Sequence, residues 1–536
     1  MRLKNKKKLK YLRSHWGKQL DKFRYFDLIS IYHDSIYNKD SINYVDEKTW
    51  SDLDFNSIFS KMDRNVSCLG QQFLYHLLHK YENDETVLKE RYSLIQYFRK
   101  NSSVRESIQL LLGNLSNQKA YFIPSLIMSN IPPRSKYFYL LALLSLLTLI
   151  SSSLIYFQPQ FLFVTIALLT TNIILNHVIG SKIYDSFAGF SSLYTLLIAS
   201  SQISKIKSEY SIGEFEFLRK QKGLIKKLKK KLGKFVIDKD GLNDVARVII
   251  EYLNMFFLYD LIAYYKSVNI LNKYQLEVRK IYESVASLDA CISVASYLDE
   301  VESFTNPIFI NSDEISFNNI YHPLIENAVP NSVNKLSKSA LITGSNMSGK
   351  TTFIKCVGIN MILAQTLYFC HADKFETYRC KVSASIKREE DLENSKSYFF
   401  VEIEEIQKFI ELADENKDHI FLIDEIFRGT NTIERLAIST SVLESLSQNG
   451  KVLVTTHDIE LQDLLESSYE MYHFSDQVDS NNYYFDYKIQ KGPCLSGNAI
   501  SLLEIKGYPK DITNKAKNFA EEWKSTNVLG NSKNQS

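Results

Sequence analysis

The most unusual pattern in this chain is a long stretch without charge, since residues 137–181 contain no Asp, Glu, Lys or Arg. Its first half, 137–157, would form a helix of about 31 Å, which matches the hydrocarbon core of a bilayer. Gln158-Pro159-Gln160 is typical of a tight turn, and 161–180 is a second apolar stretch. The pattern predicts a two-helix transmembrane hairpin over 137–180.

The charges that flank this hairpin predict its orientation. Arg134 and Lys136 precede it, Lys182 follows it, and the turn carries no charge. Because basic residues stay on the cytoplasmic side, we expect both ends, and with them the N-terminus and the C-terminal domain, on the cytoplasmic face of the cytoplasmic membrane. The alternative is a very apolar pair of helices in a soluble core, although few soluble helices are apolar on all faces over this length.

Outside the hairpin, the pattern changes near residue 310. No proline occurs between Pro159 and Pro307, and apolar residues in 242–300 recur at three- and four-residue steps, which predicts long helices. Beyond 310, short β-branched runs alternate with helical patterns, which indicates an α/β fold with a mainly parallel sheet. The expected fold class is therefore α + α/β, with a long-helix domain before a domain that contains the parallel sheet.

Charge is concentrated in two basic blocks. The whole chain has a net charge of only +3, from 64 basic and 61 acidic residues. Residues 2–24 and 219–234 each carry a net +9, so the remainder must carry −15. Such blocks attract phosphate backbones or anionic lipid head groups. The alternative is a solvated helix face or a disordered tail.

Six cysteines lie far apart, which argues against a disulfide framework or a zinc knuckle.

A phosphate-binding loop follows the apolar run 340–343. Lys350 is expected to reach the β- and γ-phosphates, and Thr351 to bind Mg²⁺. Backbone N–H groups and the N-terminus of the following helix would hold the phosphates. The nucleotide-binding residues predicted from the pattern G-x-x-x-x-G-K-[ST] and the position after it are Gly344, Ser345, Asn346, Met347, Ser348, Gly349, Lys350, Thr351 and Thr352.

Two later strand ends supply the remaining chemistry. The run 420–423 ends in Asp424, which suits the Mg²⁺ shell, and Glu425, which suits general-base activation of water. The run 452–455 is followed by Thr456 and His457, and His457 is placed to hydrogen-bond the γ-phosphate. Three strand-end motifs in this order indicate an ATPase of the ABC type, with ATP and Mg²⁺ as cofactors.

These motifs resemble those of the MutS proteins of DNA mismatch repair. The similar segments are TGSNMSGKT (343–351), SYFFVEI (397–403), LIDEIFRGTNTIE (422–434), YHPL (321–324) and the closing segment 497–509. The resemblance covers about 310–525 closely and 50–310 faintly. Ser395 and Phe427 stand where the family usually has glycine. No Phe before residue 137 has a Glu two positions later, so we expect no wedge-type reading of mismatches.

The resemblance implies a homodimer in which ATPase domains face head to tail. Ser397 matches the serine that the family offers to the partner's ATP, and 428–430 match the loop at the dimer seam. It also implies that nucleotide state switches a lever region that contacts DNA. The expected division is a basic tail (1–49), a helical lever domain with the hairpin (50–310), the ATPase domain (311–525) and a polar tail (526–536).

The expected function is that of a membrane-tethered, ATP-dependent DNA-binding protein. In this hypothesis the basic block 219–234 contacts DNA phosphates without reading sequence. The alternative is a membrane-associated ABC-like switch whose client is a protein or lipid, with both basic blocks against anionic lipid. ATP hydrolysis by Lys350, Glu425 and His457 is common to both hypotheses.

Overall fold

The computed structural model describes residues 2–532 except for 38–42, 129–137, 183, 207–212, 234–243, 346, 387–397, 416–417, 428, 480–481, 495–499, 501–502 and 504–506. Asn346 and Ser397 of the predicted site, together with position 428, therefore lie outside the described residues. The chain divides into two compact units. The helical unit comprises Met1–Ile42, Phe59–Leu78 and Lys89–Glu302, and the sheet unit comprises Asn43–Ile58, His79–Leu88 and Ser303–Ser536.

This division corrects the predicted domain boundaries. The sheet unit resumes at Ser303 and also takes in 43–58 and 79–88, which the sequence had assigned to the N-terminal tail and the helical domain. The two predicted tails contain helix, since helices cover most of 2–34 and the last helix continues to Ser532. The N-terminal segment is ordered because its basic side chains form ion pairs with acidic side chains of the helical unit.

The helices of the first part of the chain run from residue 2 to 298. Short 3₁₀ turns at Gly113–Leu115 and Gln118–Phe122 connect two of them. Their bounds are α1 Arg2–His15, α2 Phe26–Ile29, α3 Ile31–Asp34, α4 Glu47–Asp52, α5 Phe55–Met62, α6 Cys68–His79, α7 Glu85–Lys100, α8 Ser102–Leu112, α9 Ile123–Ile127, α10 Phe138–Leu154, α11 Phe161–Lys182, α12 Tyr184–Ile203, α13 Glu214–Lys220, α14 Lys222–Leu232, α15 Asp244–Phe257, α16 Tyr259–Lys273 and α17 Gln275–Leu298.

The N-terminal basic block is folded against the helical unit. Lys22 and Arg24 both contact Asp63 at 3.0 Å, and the Asp63 side chain is fully buried. These two cations and two side-chain amides lower the pKa of Asp63, against the opposing effect of its burial. The Arg13 guanidinium forms a bidentate salt bridge with the Glu106 carboxylate, with N–O distances of 2.9 and 2.8 Å. Part of this block therefore serves the fold and is not a free tail.

The apolar stretch forms two adjacent helices, α10 and α11. Thr165 donates to the Ser151 hydroxyl at 3.1 Å, and the Asn172 amide donates to the Thr148 hydroxyl at 3.0 Å. Among the described helices, α11 has a segment, Phe161–Ile179, that is long and apolar enough to cross a membrane, whereas α10 is shorter. The predicted first helix (137–157) is therefore too long at its C-terminal end, because residues 155–157 already belong to the turn.

The sheet unit contains the strands and the remaining helices. Their bounds are β1 Ile308–Phe309, β2 Ile315–Ile320, β3 Asn331–Leu336, β4 Ser339–Thr343, α18 Lys350–Thr366, β5 Lys374–Thr377, β6 Lys381–Ser385, α19 Tyr398–Glu415, β7 His419–Asp424, α20 Thr432–Asn449, β8 Lys451–Thr456, α21 Glu460–Leu464, β9 Tyr469–Asp479, β10 Asn482–Lys491 and α22 Lys510–Ser532.

Two sheets organise this unit. The larger has the strand order β10-β9-β4-β8-β7-β6, in which only the β9–β10 pair is antiparallel. The smaller has the order β1-β5-β2-β3. All of β4 and β8 is buried, as expected for central parallel strands covered on both faces. The predicted α + α/β fold class is confirmed.

β6 is the last strand of the larger sheet, and side chains from 43–58 and 79–88 cover its outer edge. Val382 and Ala384 of β6, and Ile386 just past its end, stand at alternate positions, and the N–H group of each donates to a side chain of these segments. An edge strand otherwise presents unpaired N–H groups to other chains. The three acceptors are the Tyr81 hydroxyl at 3.1 Å, the Thr49 hydroxyl at 3.0 Å and the Asp52 carboxylate at 2.6 Å.

Thr49→Val tests this edge closure. Valine keeps the shape of the side chain but leaves the buried Ala384 N–H without its acceptor, which costs about 1–3 kcal/mol. Hydrogen–deuterium exchange in the peptide that contains β6 should therefore accelerate by roughly 5- to 150-fold. Thr440→Val is the matched control, since within the described part of the chain the Thr440 hydroxyl bonds to the Leu436 carbonyl of its own helix. Unchanged exchange in β6 would contradict this account.

Candidate functional site

The carboxyl ends of three parallel strands meet at one edge of the larger sheet. Thr343, the last residue of β4, lies opposite Thr456 of β8, and Thr455 lies opposite Asp424 of β7. Lys350, Glu425 and His457 follow these strand ends within a few residues. Parallel pairing therefore brings the three sequence motifs together.

The loop between β4 and α18 depends on two glycines with left-handed backbone angles. Gly344 has φ 147°, and a Cβ there would lie 2.8 Å from the Phe474 carbonyl oxygen. Gly349 has φ 104°, and a Cβ there would lie 3.3 Å from the Tyr487 ring. Both positions therefore favour glycine by conformation and by space. The Lys350 ammonium donates to the Gly344 and Ser345 carbonyls at 2.8 and 2.7 Å, so it points back into its own loop.

Two polar pairs stand beside this lysine. The Thr351 hydroxyl donates to the Asp424 carboxylate at 2.9 Å, and Asp424 also accepts from the Thr455 hydroxyl. His457 lies 2.9 Å from the Glu425 carboxylate and 3.3 Å from the Lys350 ammonium. Both contacts are made by the same ring nitrogen, Nε2, so a neutral His457 either donates to Glu425 or accepts from Lys350, according to its tautomer.

The structure brings most of the predicted site residues to one place. Lys350, Thr351, Asp424, Glu425 and His457 form one connected cluster. Ser348 is buried and donates to the Ser345 carbonyl at 2.9 Å, so its role is in the loop's own structure. Met347 is 83% exposed, and Thr352 lines the cavity described next.

A cavity of 510 Å³ opens beside the loop. Its wall includes Ser345, Lys350, Thr351 and Glu425, together with residues of the segment around His322. Cys356 also lines it, but burial raises the pKa of this thiol, so it remains protonated at neutral pH. The volume lies within the range typical of small-molecule sites.

Tyr487 is a cavity residue that sequence reasoning missed. It has φ 54° and lies where the β9–β10 register shifts between Phe485 and Ile489. Asn331 of β3 holds this irregularity, since it donates to the Tyr487 carbonyl at 3.0 Å and accepts from Ile489 N–H at 2.8 Å. A lone tyrosine in a strand gives no sequence signal of this kind, because the signal is the bulge itself.

The backbone after Asp424 is strained. Glu425 has φ 61° and Phe427 has φ 56°, which are uncommon angles for residues other than glycine. The Glu425 N–H donates to the Thr455 carbonyl at 2.9 Å. The Phe427 N–H donates to the carboxylate of Glu402, a buried residue of α19, at 2.5 Å. Two hydrogen bonds thus hold this short segment from both sides.

The donor set next to the loop fits a magnesium ion. The Thr351 hydroxyl and the Asp424 carboxylate are hard oxygen ligands, and they lie 2.9 Å apart at the cavity's phosphate-loop end. Mg²⁺ commonly takes one or two protein oxygens and completes its shell with water and phosphate oxygens. These two side chains would supply the protein's share.

Comparison with known proteins agrees with this geometry. Residues 340–524 match the family model described as MutS domain V. The chain is 28% identical over 267 residues to the DNA mismatch repair protein MutS of Caldicellulosiruptor saccharolyticus, 30% over 263 to that of Streptococcus mutans and 30% over 277 to that of Thermotoga maritima. These alignments cover 46–49% of this chain but only 30–34% of the relatives. The chain thus spans about a third of the length of the curated relatives it matches, and the predicted resemblance to MutS is confirmed over its C-terminal half.

Proposed function

We propose that the part of the chain related to MutS domain V binds and hydrolyses ATP. The observation that carries this proposal is the cluster of Lys350, Thr351, Asp424, Glu425 and His457 beside a 510 Å³ cavity. A lysine, a hydroxyl–carboxylate pair and a second carboxylate are the groups that phosphoryl transfer to water requires.

In this mechanism Lys350 exchanges the Gly344 and Ser345 carbonyls for oxygens of the β- and γ-phosphates. Glu425 orients a water molecule in line with the γ-phosphorus and takes its proton as the bond to the bridging oxygen breaks. His457 donates to a γ-phosphate oxygen while its position is held by Glu425. Thr351 and Asp424 would hold Mg²⁺, which would supply positive charge to neutralise the phosphates.

The purine base would lie against Tyr487. Tyr487 lines the cavity, and its ring lies next to the phosphate loop, where Gly349 permits its close approach. An aromatic face offers stacking without a demand for base-specific hydrogen bonds.

A homodimer that completes the site through Ser397 is also part of the proposal, and it rests on the family resemblance.

Substitutions of Lys350 and Glu425 test ATP binding and hydrolysis separately. Lys350→Ala removes charge-assisted bonds to phosphate and should weaken ATP binding by roughly 100-fold, or about 3 kcal/mol. Lys355→Ala is the matched control, because Lys355 lies on the same helix but binds Asp54 at 2.7 Å. Glu425→Gln should retain ATP binding and lower kcat by about 100-fold or more, since the amide is no base. Fluorescent-nucleotide titration and phosphate release measure the two steps, and wild-type turnover in Glu425→Gln would refute the assignment.

We further propose that DNA is the client of this ATPase. Support comes from the relatives' established name as DNA mismatch repair proteins and from α14. That helix buries Ile225, Leu228 and Leu232 on one face, while Lys226 and Lys230 are exposed on the other. An exposed row of lysines suits phosphate contacts, which carry affinity but no sequence information.

Lys226→Gln with Lys230→Gln tests this DNA contact. The full chain in neutral-lipid nanodiscs should bind duplex, mismatched or branched DNA in gel shifts at low salt. The double variant should weaken binding and reduce the slope of log K against log salt by about 2. Lys408→Gln with Lys510→Gln, which removes two exposed lysines of the sheet unit, is the matched control. If no DNA form binds, the alternative of a protein or lipid client gains support.

We also propose that 137–180 tethers the protein to the cytoplasmic membrane, with both units on the cytoplasmic side. Large apolar side chains along α10 and α11 are exposed, among them Leu146 at 52% and Phe163 at 78%. The neighbouring α15 adds Ile249 and Leu253 to this exposed apolar surface. The basic blocks 2–24 and 219–234 would then be available to anionic lipid where their side chains are exposed.

Spin labels test the tether. In nanodiscs, a label at Leu146→Cys should be more accessible to oxygen than to a water-soluble nickel complex, because it faces hydrocarbon. A label at Lys408→Cys, an exposed position of α19 in the sheet unit, is the matched aqueous control and should show the opposite order. Preferential access of the nickel complex to position 146 would contradict the membrane assignment.

A further inference from the structure

The loop that carries Glu425 contains a residue that does not suit its own backbone. Phe427 has φ 56°, in the left-handed region where a bulky side chain crowds the backbone. Glu425, two positions earlier, is also left-handed at φ 61°. Such residues cost about 1–3 kcal/mol each and persist only when surrounding contacts hold them. Glycine at position 427 would adopt this angle without cost.

Two contacts hold Phe427 in this conformation. Its side chain is 3% exposed and belongs to an apolar cluster that includes Ile406 and Phe409 of α19. Its N–H donates to the carboxylate of Glu402, which is 8% exposed. A hydrogen bond to a charged carboxylate is roughly twice as strong as a neutral one. The carboxylate and part of this cluster belong to α19, so this helix helps to fix the far end of the strained segment.

The near end of the segment carries the predicted general base. The Glu425 N–H is fixed by the Thr455 carbonyl, and its carboxylate lies 2.9 Å from His457. If the Phe427 N–H lost its acceptor, the chain would relax toward ordinary angles, and the rotation would be shared by Ile426 and Glu425. The carboxylate would then leave the cavity edge, where it must meet water and phosphate.

We propose that Glu402 is a positioning residue for hydrolysis: by binding the Phe427 N–H, it holds a strained loop that aims Glu425 at the attacking water. The inference rests on the proposed ATPase function. Glu402 touches neither nucleotide nor water in this role. Phenylalanine, unlike glycine, does not adopt the left-handed angle at position 427 readily. The Glu402 carboxylate offsets this cost by its bond to the Phe427 N–H.

Glu402→Met and Glu402→Gln test the role of the carboxylate. Methionine keeps the volume but accepts no hydrogen bond, so we expect kcat for ATP to fall by roughly 10- to 100-fold while KM and nucleotide affinity change by less than about threefold. Glutamine retains an acceptor oxygen and should restore most of kcat. Glu405→Met is the matched control, since Glu405 lies one turn along α19 and binds the Ser385 hydroxyl at 2.7 Å instead.

Combination with Phe427→Gly distinguishes positioning from a general effect on folding. Glycine removes the strain, so Glu402→Met should lower kcat by less than about threefold in the Phe427→Gly protein. Phe427→Asn, which also tolerates left-handed angles, replaces this background if loss of the buried ring prevents folding. An equal loss of kcat in both backgrounds would overturn the inference.

Two further results decide between the inference and the function on which it rests. Wild-type kcat in a folded Glu402→Met protein overturns the positioning role alone. Absence of ATP hydrolysis by the unsubstituted full chain overturns both proposals. Faster hydrogen–deuterium exchange in the peptide that contains Phe427, together with reduced kcat in Glu402→Met, supports the inference directly.

Discussion

The parallel pairing of β4 with β8 and of β8 with β7 is the constraint on which the candidate site depends. Thr343 opposite Thr456 and Asp424 opposite Thr455 fix the register of three strand ends. A slip of one residue would turn each side chain to the other face of the sheet. The contacts of His457 with both Lys350 and Glu425 exist because this register is kept.

The sheet that provides this register needs chain from outside the ATPase motifs. Segments 43–58 and 79–88 supply acceptors for the N–H groups at the edge of β6 that no neighbouring strand pairs. Leu53 also packs close to Gly358 of α18. A Cβ on Gly358 would lie 2.4 Å from Leu422 of β7, so the helix that begins at Lys350 approaches the sheet closely there. The family-model match begins at residue 340, yet the folded sheet unit begins at Asn43.

Strain and compensation explain one of the two positions where the sequence departs from the glycines of the resembled family. Phe427 stands where the resembled family usually has glycine, and its left-handed angle shows what glycine would have supplied. Burial of the ring and the bond from Glu402 stabilise the same conformation by other means. The cost of the angle is therefore linked to α19, whose first residues belong to the MutS-like segment 397–403, although that resemblance assigns no role to Glu402.

The sequence by itself determined the motifs and the strand ends that bring Lys350, Asp424, Glu425 and His457 together. Local spacing and parallel-sheet topology are enough for this, because each residue follows its strand directly. Tertiary structure alone decided Tyr487, which depends on a bulge held by Asn331, and Glu402, which acts on a loop 25 positions away. It also decided that 43–58 and 79–88 complete the sheet unit and that Lys22 and Arg24 neutralise a buried carboxylate. These features depend on contacts between residues that are far apart in the sequence. Hydrophobic periodicity and local spacing describe only neighbouring residues, so they do not predict such contacts.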